Sequence, residues 1–329
     1  MAFKWPEDVL GSGMAKKPIY KFIDLFAGIG GFHVAFNNTK RAQCVFASEW
    51  DAAARRTYKH NFNKGQDKAL FEKKDQFFAG DINEFPFEKI PRFDVLCGGF
   101  PCQPFSQAGR KLGFKDARGT LFFRIEEIIR KHKPAAIFLE NVRGLLTHDG
   151  GHTFDVICNI LKDCGYHGSV DGPAKLPVFA EVIRASDYGL PQHRPRLFMA
   201  GFKSEKAARY FANNPPPKAK RLKYTMSDVM KGRVTYYGQD KVRDVGFTLR
   251  CGGRGSGVRD RRNWDWYVVD GKERQIFDTQ GLEIQGFPKG YSFPADVPMT
   301  QRMKQLGNSV AVAAVHAWAE AIVEALDNG

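Results

Sequence analysis

The sequence predicts an α/β protein: a doubly wound, mostly parallel sheet with a smaller domain inserted before the last helix. Three observations lead there. Short apolar runs alternate with amphipathic helical patterns, as strands buried on both faces do. The first run ends in the glycine-rich turn Ala27-Gly28-Ile29-Gly30-Gly31. The alternation stops after Phe202, where Gly, Arg and aromatic residues take over. The chain has 329 residues, room for one large or two ordinary domains, and 43% are apolar, enough for a sizeable core.

Taken in order, 21–26 is the first strand and 43–48 the second, ending at Glu49. A third strand-like segment ends at Gly80-Asp81-Ile82. Residues 93–97 and 135–139 continue the series. Between them, 120–131 reads as a helix with Leu121, Ile125, Ile128 and Ile129 on one face. Residues 196–202 form a late strand. Asn213-Asn214-Pro215-Pro216-Pro217 is a breaker cluster followed by Lys218, Lys220, Arg221 and Lys223, which places a domain boundary at 203–224. Asn308 is a fit N-cap for a last helix over 309–326.

Lys and Arg number 50 and Asp and Glu 36, a net charge of +14 that suits a polyanionic partner, nucleic acid first. The 28 Phe exclude a disordered chain. No run of about 18 apolar residues predicts a membrane span. The start, Met1 to Asp8, lacks an apolar signal core, so a cytoplasmic protein is expected. Six cysteines without a Cys-x-x-Cys pair fit a reduced protein with no structural metal. His148 and His152 share a helical spacing, but Asp149-Gly150-Gly151 between them reads as a turn.

The strand ends carry the chemistry. A tight glycine turn at Gly28 and Gly30 brings backbone close to a ligand, and Glu49, about twenty residues on, suits ribose hydroxyls. Asp81 is placed to reach an adenine edge. This pattern alone fits NAD, FAD or S-adenosylmethionine. Cys102 follows a strand within Gly99-Phe100-Pro101-Cys102-Gln103, an exposed setting for a nucleophilic thiolate. Glu140 ends another strand, and Arg194 and Arg196 put two guanidinium groups just before one.

Phe26-Ala27-Gly28-x-Gly30-Gly31, Pro101-Cys102-Gln103, Glu140-Asn141-Val142, Gln192-x-Arg194-x-Arg196 and Gly307-Asn308-Ser309-Val310 occur in that order. Together they resemble the DNA cytosine-5 methyltransferases of bacterial restriction–modification systems, over nearly the whole chain. The resemblance implies a Rossmann-like methyltransferase domain and S-adenosylmethionine as methyl donor. It assigns cofactor contacts to Phe26, Gly28, Gly30, Glu49, Trp50, Asp81, Ile82, Leu121, Asn308 and Ser309. It makes Cys102 the nucleophile toward cytosine C6 and Glu140 the group at N3. Arg194 is given the base O2, with Arg196 in the same catalytic set, and the target base is flipped out of the duplex.

Residues 103–116, basic and with two glycines, read as a lid. Ser106 there is placed on a phosphate, and Arg118 is grouped with the DNA contacts. Residues 250–262 hold five Arg and four Gly, followed by Trp264, Trp266 and Tyr267. Arg250, Arg254, Arg259, Arg261 and Arg262 are the readout candidates. The expected division is 1–203 for catalysis and cofactor, 204–278 for target recognition, 279–307 as a hinge and 308–329 as the returning helix. The expected partner is double-stranded DNA, met by a monomer without a stable protein partner, and a cognate restriction endonuclease is its counterpart. Alternatives are a tRNA cytosine-5 methyltransferase and a non-catalytic DNA-binding regulator. A nicotinamide dehydrogenase accounts for the glycine turn alone and leaves Pro101-Cys102-Gln103 unexplained.

Overall fold

The computed structural model describes residues 20–72, 76–101, 121–169, 176–252 and 255–329. The large sheet is built from β1 (Tyr20–Leu25), β2 (Ala42–Ser48), β3 (Phe78–Ala79), β4 (Val95–Gly99), β5 (Ala136–Val142), β6 (Phe179–Arg184) and β7 (Pro195–Phe202). Their order is β3-β2-β1-β4-β5-β7-β6. The first five are parallel, and β7 runs antiparallel to both β5 and β6. The apolar runs arise because both faces are covered. Phe22, Phe36 and Phe138 belong to one core, and Ile23, Leu25, Ile137 and Leu139 to the other.

The helices sort by face. α1 (Gly31–Asn37) and α2 (Ala52–Phe62) follow β1 and β2, and contribute Phe36 and Tyr58 to the first core. α3 (Leu121–His132) buries Phe122, Ile125, Ile128 and Ile129 against the second, joined by Ile157 and Leu161 of α4 (His152–Asp163). Leu121, expected on the core stripe, is half-buried at the helix start. α5 (Glu205–Asn213) lies past the expected boundary at 203 but packs on the large sheet. Its Phe211 meets Phe179, Phe202 and Trp318 at ring distances of 4.9, 5.2 and 5.7 Å. The breaker cluster after Asn213 falls inside the boundary expected over 203–224.

The smaller part starts with α6 (Met226–Met230) and holds an antiparallel sheet of β8 (Val234–Thr235), β9 (Trp266–Val269) and β10 (Lys272–Gln275), with β9 in the middle. Asp270 and Gly271, both at positive φ, turn β9 into β10, as right-twisted hairpins favour. The chain then runs through α7 (Asp278–Gln285), α8 (Met299–Asn308) and α9 (Val312–Asn328) back onto the large sheet. The expected hinge is thus mainly two helices. Asn308 ends α8 instead of capping the last helix, which starts at Val312 after the cap residue Ala311.

The return is held tightly. Trp318 of α9 stacks on Phe138 at 5.6 Å and meets Phe198 edge-on at 5.4 Å. The segment Met299–Asn328 has the length and mean hydropathy (1.4) of a membrane helix, but 72% of its apolar window is buried inside the fold and the break at 309–311 interrupts it. It serves as a core element.

Candidate active site

Strand register brings the chemistry-bearing ends to one rim. Leu25 pairs with Ser48 and Gly98, Ser48 with Ala79, and Gly99 with Glu140. The residues that follow β1, β2 and β3 are Phe26, Glu49 and Gly80-Asp81, so they emerge side by side. In such sheets ligands bind at the carboxyl ends of the strands.

At the first of these exits the backbone turns hard. Phe26 has φ 56° and Gly30 φ 82°. Gly30 also needs to lack a side chain, since an added Cβ would lie 2.3 Å from the Phe62 ring. Glu49 is nearly buried and accepts the Gly28 amide at 2.7 Å on one carboxylate oxygen and the Asp51 amide at 2.8 Å on the other. Burial raises its pKa, opposed by those two amides. Each oxygen keeps a lone pair for a ligand hydroxyl.

Next to it, Trp50 is 76% exposed, the most exposed large apolar side chain among the described residues. Arg55 holds this turn, donating from Nη1 to the carbonyls of Glu49 and Trp50 at 2.9 Å each. Asp81 accepts the Asn83 amide at 2.9 Å, Ile82 is buried, and Arg124 Nε donates to the Ile82 carbonyl at 3.0 Å. Ser309 is buried against the start of α1, 3.5 Å from where a Gly31 Cβ would stand, while Asn308 is exposed.

An exposed indole, a carboxylate fixed by backbone amides and the open space over Gly28 fit an adenosyl group. Trp50→Ala is therefore expected to weaken S-adenosylhomocysteine binding by about tenfold in calorimetry. The melting temperature stays put, because the ring is outside the core.

The second half of the rim centres on Glu140. It is 8% exposed, and Arg196 Nε meets its Oε1 at 2.9 Å. The other oxygen faces Gly99, 3.3 Å from where a Cβ there would stand. Burial raises the Glu140 pKa, and Arg196, then Arg194, oppose the rise. A carboxyl so placed can carry a proton to a ring nitrogen. Asn141 Nδ2 donates to the Phe100 carbonyl at 2.9 Å, tying the exit of β4 to that of β5. The chain leaves that exit through the exposed Pro101, one residue before Cys102.

Cys102, Ser106, Arg118 and Arg254, with the lid over 103–116, lie outside the described residues.

Arg194 requires a correction. Expected at the base O2, it is 1% exposed and spent on protein carbonyls. Nη1 donates to Leu249 at 2.9 Å, and Nη2 to Gly307 at 2.8 Å and to Ser309. It closes the C-terminal end of α8, whose last carbonyls lack helical partners. Arg196, two residues on, takes the place beside Glu140. Gln192 joins the same splice, accepting the Leu249 amide at 3.1 Å and donating to Gln285 Oε1 at 3.2 Å. Gly307 has no room for a side chain, because a Cβ would lie 2.2 Å from the Arg250 backbone.

In the smaller part, Arg250, Arg259 and Arg261 are exposed. Arg259 lies over the Tyr237 ring at 5.1 Å. Arg262 is tied to Asp260 at 3.1 Å, which leaves it the least available of the set. Trp264 is buried and donates to the Gly252 carbonyl at 3.2 Å, and Trp266 donates to Gly255 at 3.0 Å. These indoles brace the Gly/Arg segment from inside. Residues that sequence reasoning passed over include Arg55 and Arg243. Neither stands in a motif, and only the lone Arg within Val242-Arg243-Asp244-Val245-Gly246-Phe247 hinted at the second.

A nucleotide-type rim joined to a buried carboxylate–guanidinium pair defines a Rossmann-like methyltransferase. The family model of C-5 cytosine-specific DNA methylases matches residues 20–245 and 230–324. The type II methyltransferase M1.ScrFI of Lactococcus lactis subsp. cremoris is 38% identical, over 94% of this chain and 79% of its own. M.HpaII of Haemophilus parainfluenzae is 36% identical, over 94% and 90%. M.HhaI of Haemophilus parahaemolyticus is 31% identical, over 89% and 90%. Among solved structures, the S. pombe Dnmt2 methyltransferase superposes with a TM-score of 0.67 at 16% identity, covering 94% of this chain and 99% of that one. A putative DNA modification methyltransferase of an E. coli prophage gives 0.64 at 18% identity, over 94% and 99%, which likewise speaks to the fold. This chain belongs to the C-5 cytosine-specific DNA methylases, and its cofactor is S-adenosylmethionine.

Proposed function

We propose that the protein is the modification enzyme of a type II restriction–modification system, methylating C5 of one cytosine within a short sequence of double-stranded DNA. The observation that carries this is the Glu140–Arg196 pair at 2.9 Å, set beside Gly99 at the end of β4.

Cytosine C5 is a weak nucleophile while the ring is aromatic. The Cys102 thiolate adds to C6, forming a C–S bond and moving electron density to C5. Glu140 gives its proton to N3, which neutralises the charge that would otherwise build on the ring. Arg196 holds the carboxyl in place and, in the role first assigned to Arg194, offers a donor to O2. Phe26, Glu49, Trp50, Asp81 and Ile82 would hold S-adenosylmethionine, whose sulfonium would supply the methyl group to C5, its S–CH3 bond breaking to leave the neutral thioether S-adenosylhomocysteine. Loss of the C5 proton to a base then expels the Cys102 thiolate, N3 returns its proton to Glu140, and aromaticity is restored. The base must leave the helix to meet these groups. Arg250, Arg259 and Arg261 hold the duplex, which the enzyme engages as a monomer.

The relatives at 31–38% identity are type II methyltransferases, which favours DNA over tRNA. Tritium from labelled cofactor is expected to enter duplex DNA and not tRNA. Bisulfite sequencing of DNA from expressing cells then shows protection at one cytosine of a fixed sequence. Label in tRNA alone, or protection scattered without a common sequence, defeats the reading.

A further inference from the structure

A cavity of about 490 Å³ lies where residues near the ends of β6 and β7 meet the smaller part. Arg184 and His193 come to it from the ends of β6 and β7, and Arg243, Phe247 and Arg250 from the other side. None of the described residues that line it is acidic. A cationic cavity with no carboxylate suits acceptor atoms.

Of the arginines lining the cavity, Arg243 is the one packed against aromatic rings. Its amide donates to the Val234 carbonyl at 2.9 Å, and its Nε to Val245 at 3.2 Å. Its guanidinium lies 3.6 Å from the Phe247 ring centre, 5.0 Å from Tyr236 and 5.6 Å from Tyr267. Burial draws its pKa down, opposed by Tyr267 and Tyr236. Among the described residues no hydrogen bond or ion pair meets Nη1 or Nη2. A phosphate is gripped equally well by a mobile exposed cation. A planar fork fixed by aromatic faces has instead the geometry for a base edge, and guanine alone offers two acceptors, N7 and O6, on one major-groove edge.

We propose that Arg243 is a specificity-determining residue that reads a guanine of the recognised sequence, its two Nη groups donating to N7 and O6 in this cavity. The proposal rests on duplex DNA being the substrate.

The test begins with the wild-type enzyme and duplexes in which each guanine of the mapped site is replaced in turn by 7-deazaguanine, which lacks the N7 acceptor. One replacement is expected to lower kcat/KM by about tenfold or more. Arg243→Lys keeps the charge and loses the fork. It should lower kcat/KM on the native duplex by a similar factor, become indifferent to that one replacement, and leave the salt dependence unchanged. Arg243→Gln, neutral and planar, gives the same indifference where the lysine variant folds poorly. If no guanine replacement matters to the wild type, Arg243 reads no N7. If the lysine variant is still penalised at the same guanine, another residue does the reading. A changed salt slope with an intact guanine preference assigns Arg243 to phosphate. Absence of any methyl transfer to native duplex fails the substrate reading itself, which is a different result from indifferent transfer.

Discussion

Cys102→Ala is expected to lower methyl transfer to DNA by on the order of 10⁴-fold or more, since loss of a covalent nucleophile removes the step that makes C5 reactive. Positioning by Glu140 and Arg196 survives the change but cannot supply electron density to an aromatic ring. The variant should keep its affinity for S-adenosylhomocysteine, because the cofactor rim is built from β1, β2 and β3. It should also lose the covalent complex that the wild type forms with a duplex bearing 5-fluorocytosine at the target, where fluorine blocks loss of the C5 substituent. Single-turnover tritium transfer measures the first effect and a denaturing gel the second. A Cys102→Ala enzyme that still methylates at the wild-type rate, or still traps, removes the thiolate from the mechanism. Arg196→Ala offers a contrast: the thiolate remains, so trapping should persist at a reduced rate.

The second large effect is on stability. Arg194→Ala is expected to cost about 3–5 kcal/mol, because it strands three buried carbonyls that one guanidinium satisfies. They belong to Leu249 in the smaller part and to Gly307 and Ser309 at the end of α8, so the loss loosens the junction of the two parts. A fall in melting temperature on the order of 10 °C follows for a chain of this size. Arg194→Lys should recover little of it, since a single ammonium on a flexible stem does not span carbonyls lying in different directions. Arg196→Ala, at a half-buried position, should melt close to the wild type while losing activity. An Arg194→Ala protein as stable as the wild type but unable to methylate would falsify this division of labour and return Arg194 to the base.

These two arginines show where local sequence stops informing. Both sit in Gln192-His193-Arg194-Pro195-Arg196 with similar neighbours, and nothing in that string says which faces Glu140. The answer depends on β7 running antiparallel beside β5, which sets Arg196 opposite Val142, and on α8 ending over Arg194. The helix break at 309–311 was hidden for a related reason. Val310, Val312 and Ala313 continue an apolar stripe, while the carbonyls of Gly307 and Ser309 are taken by a side chain more than a hundred residues away. The placement of α5 was likewise hidden, because its partner Trp318 is at the far end of the chain.

What the residues state on their own is the α/β class, the glycine turn, the strand end at Glu49 and the set of motifs that gives the family, whereas β5 continues past Glu140 to Val142. Strands buried on both faces must be apolar along their whole length, and a tight turn must use glycine, so these features are written in neighbouring positions. The tertiary structure alone decided which guanidinium partners the carboxylate, how the smaller part is spliced to the sheet, and that Arg243 is held by three aromatic rings at a cavity. Each of those depends on groups far apart in the chain meeting where water is excluded, and no local pattern records such a meeting.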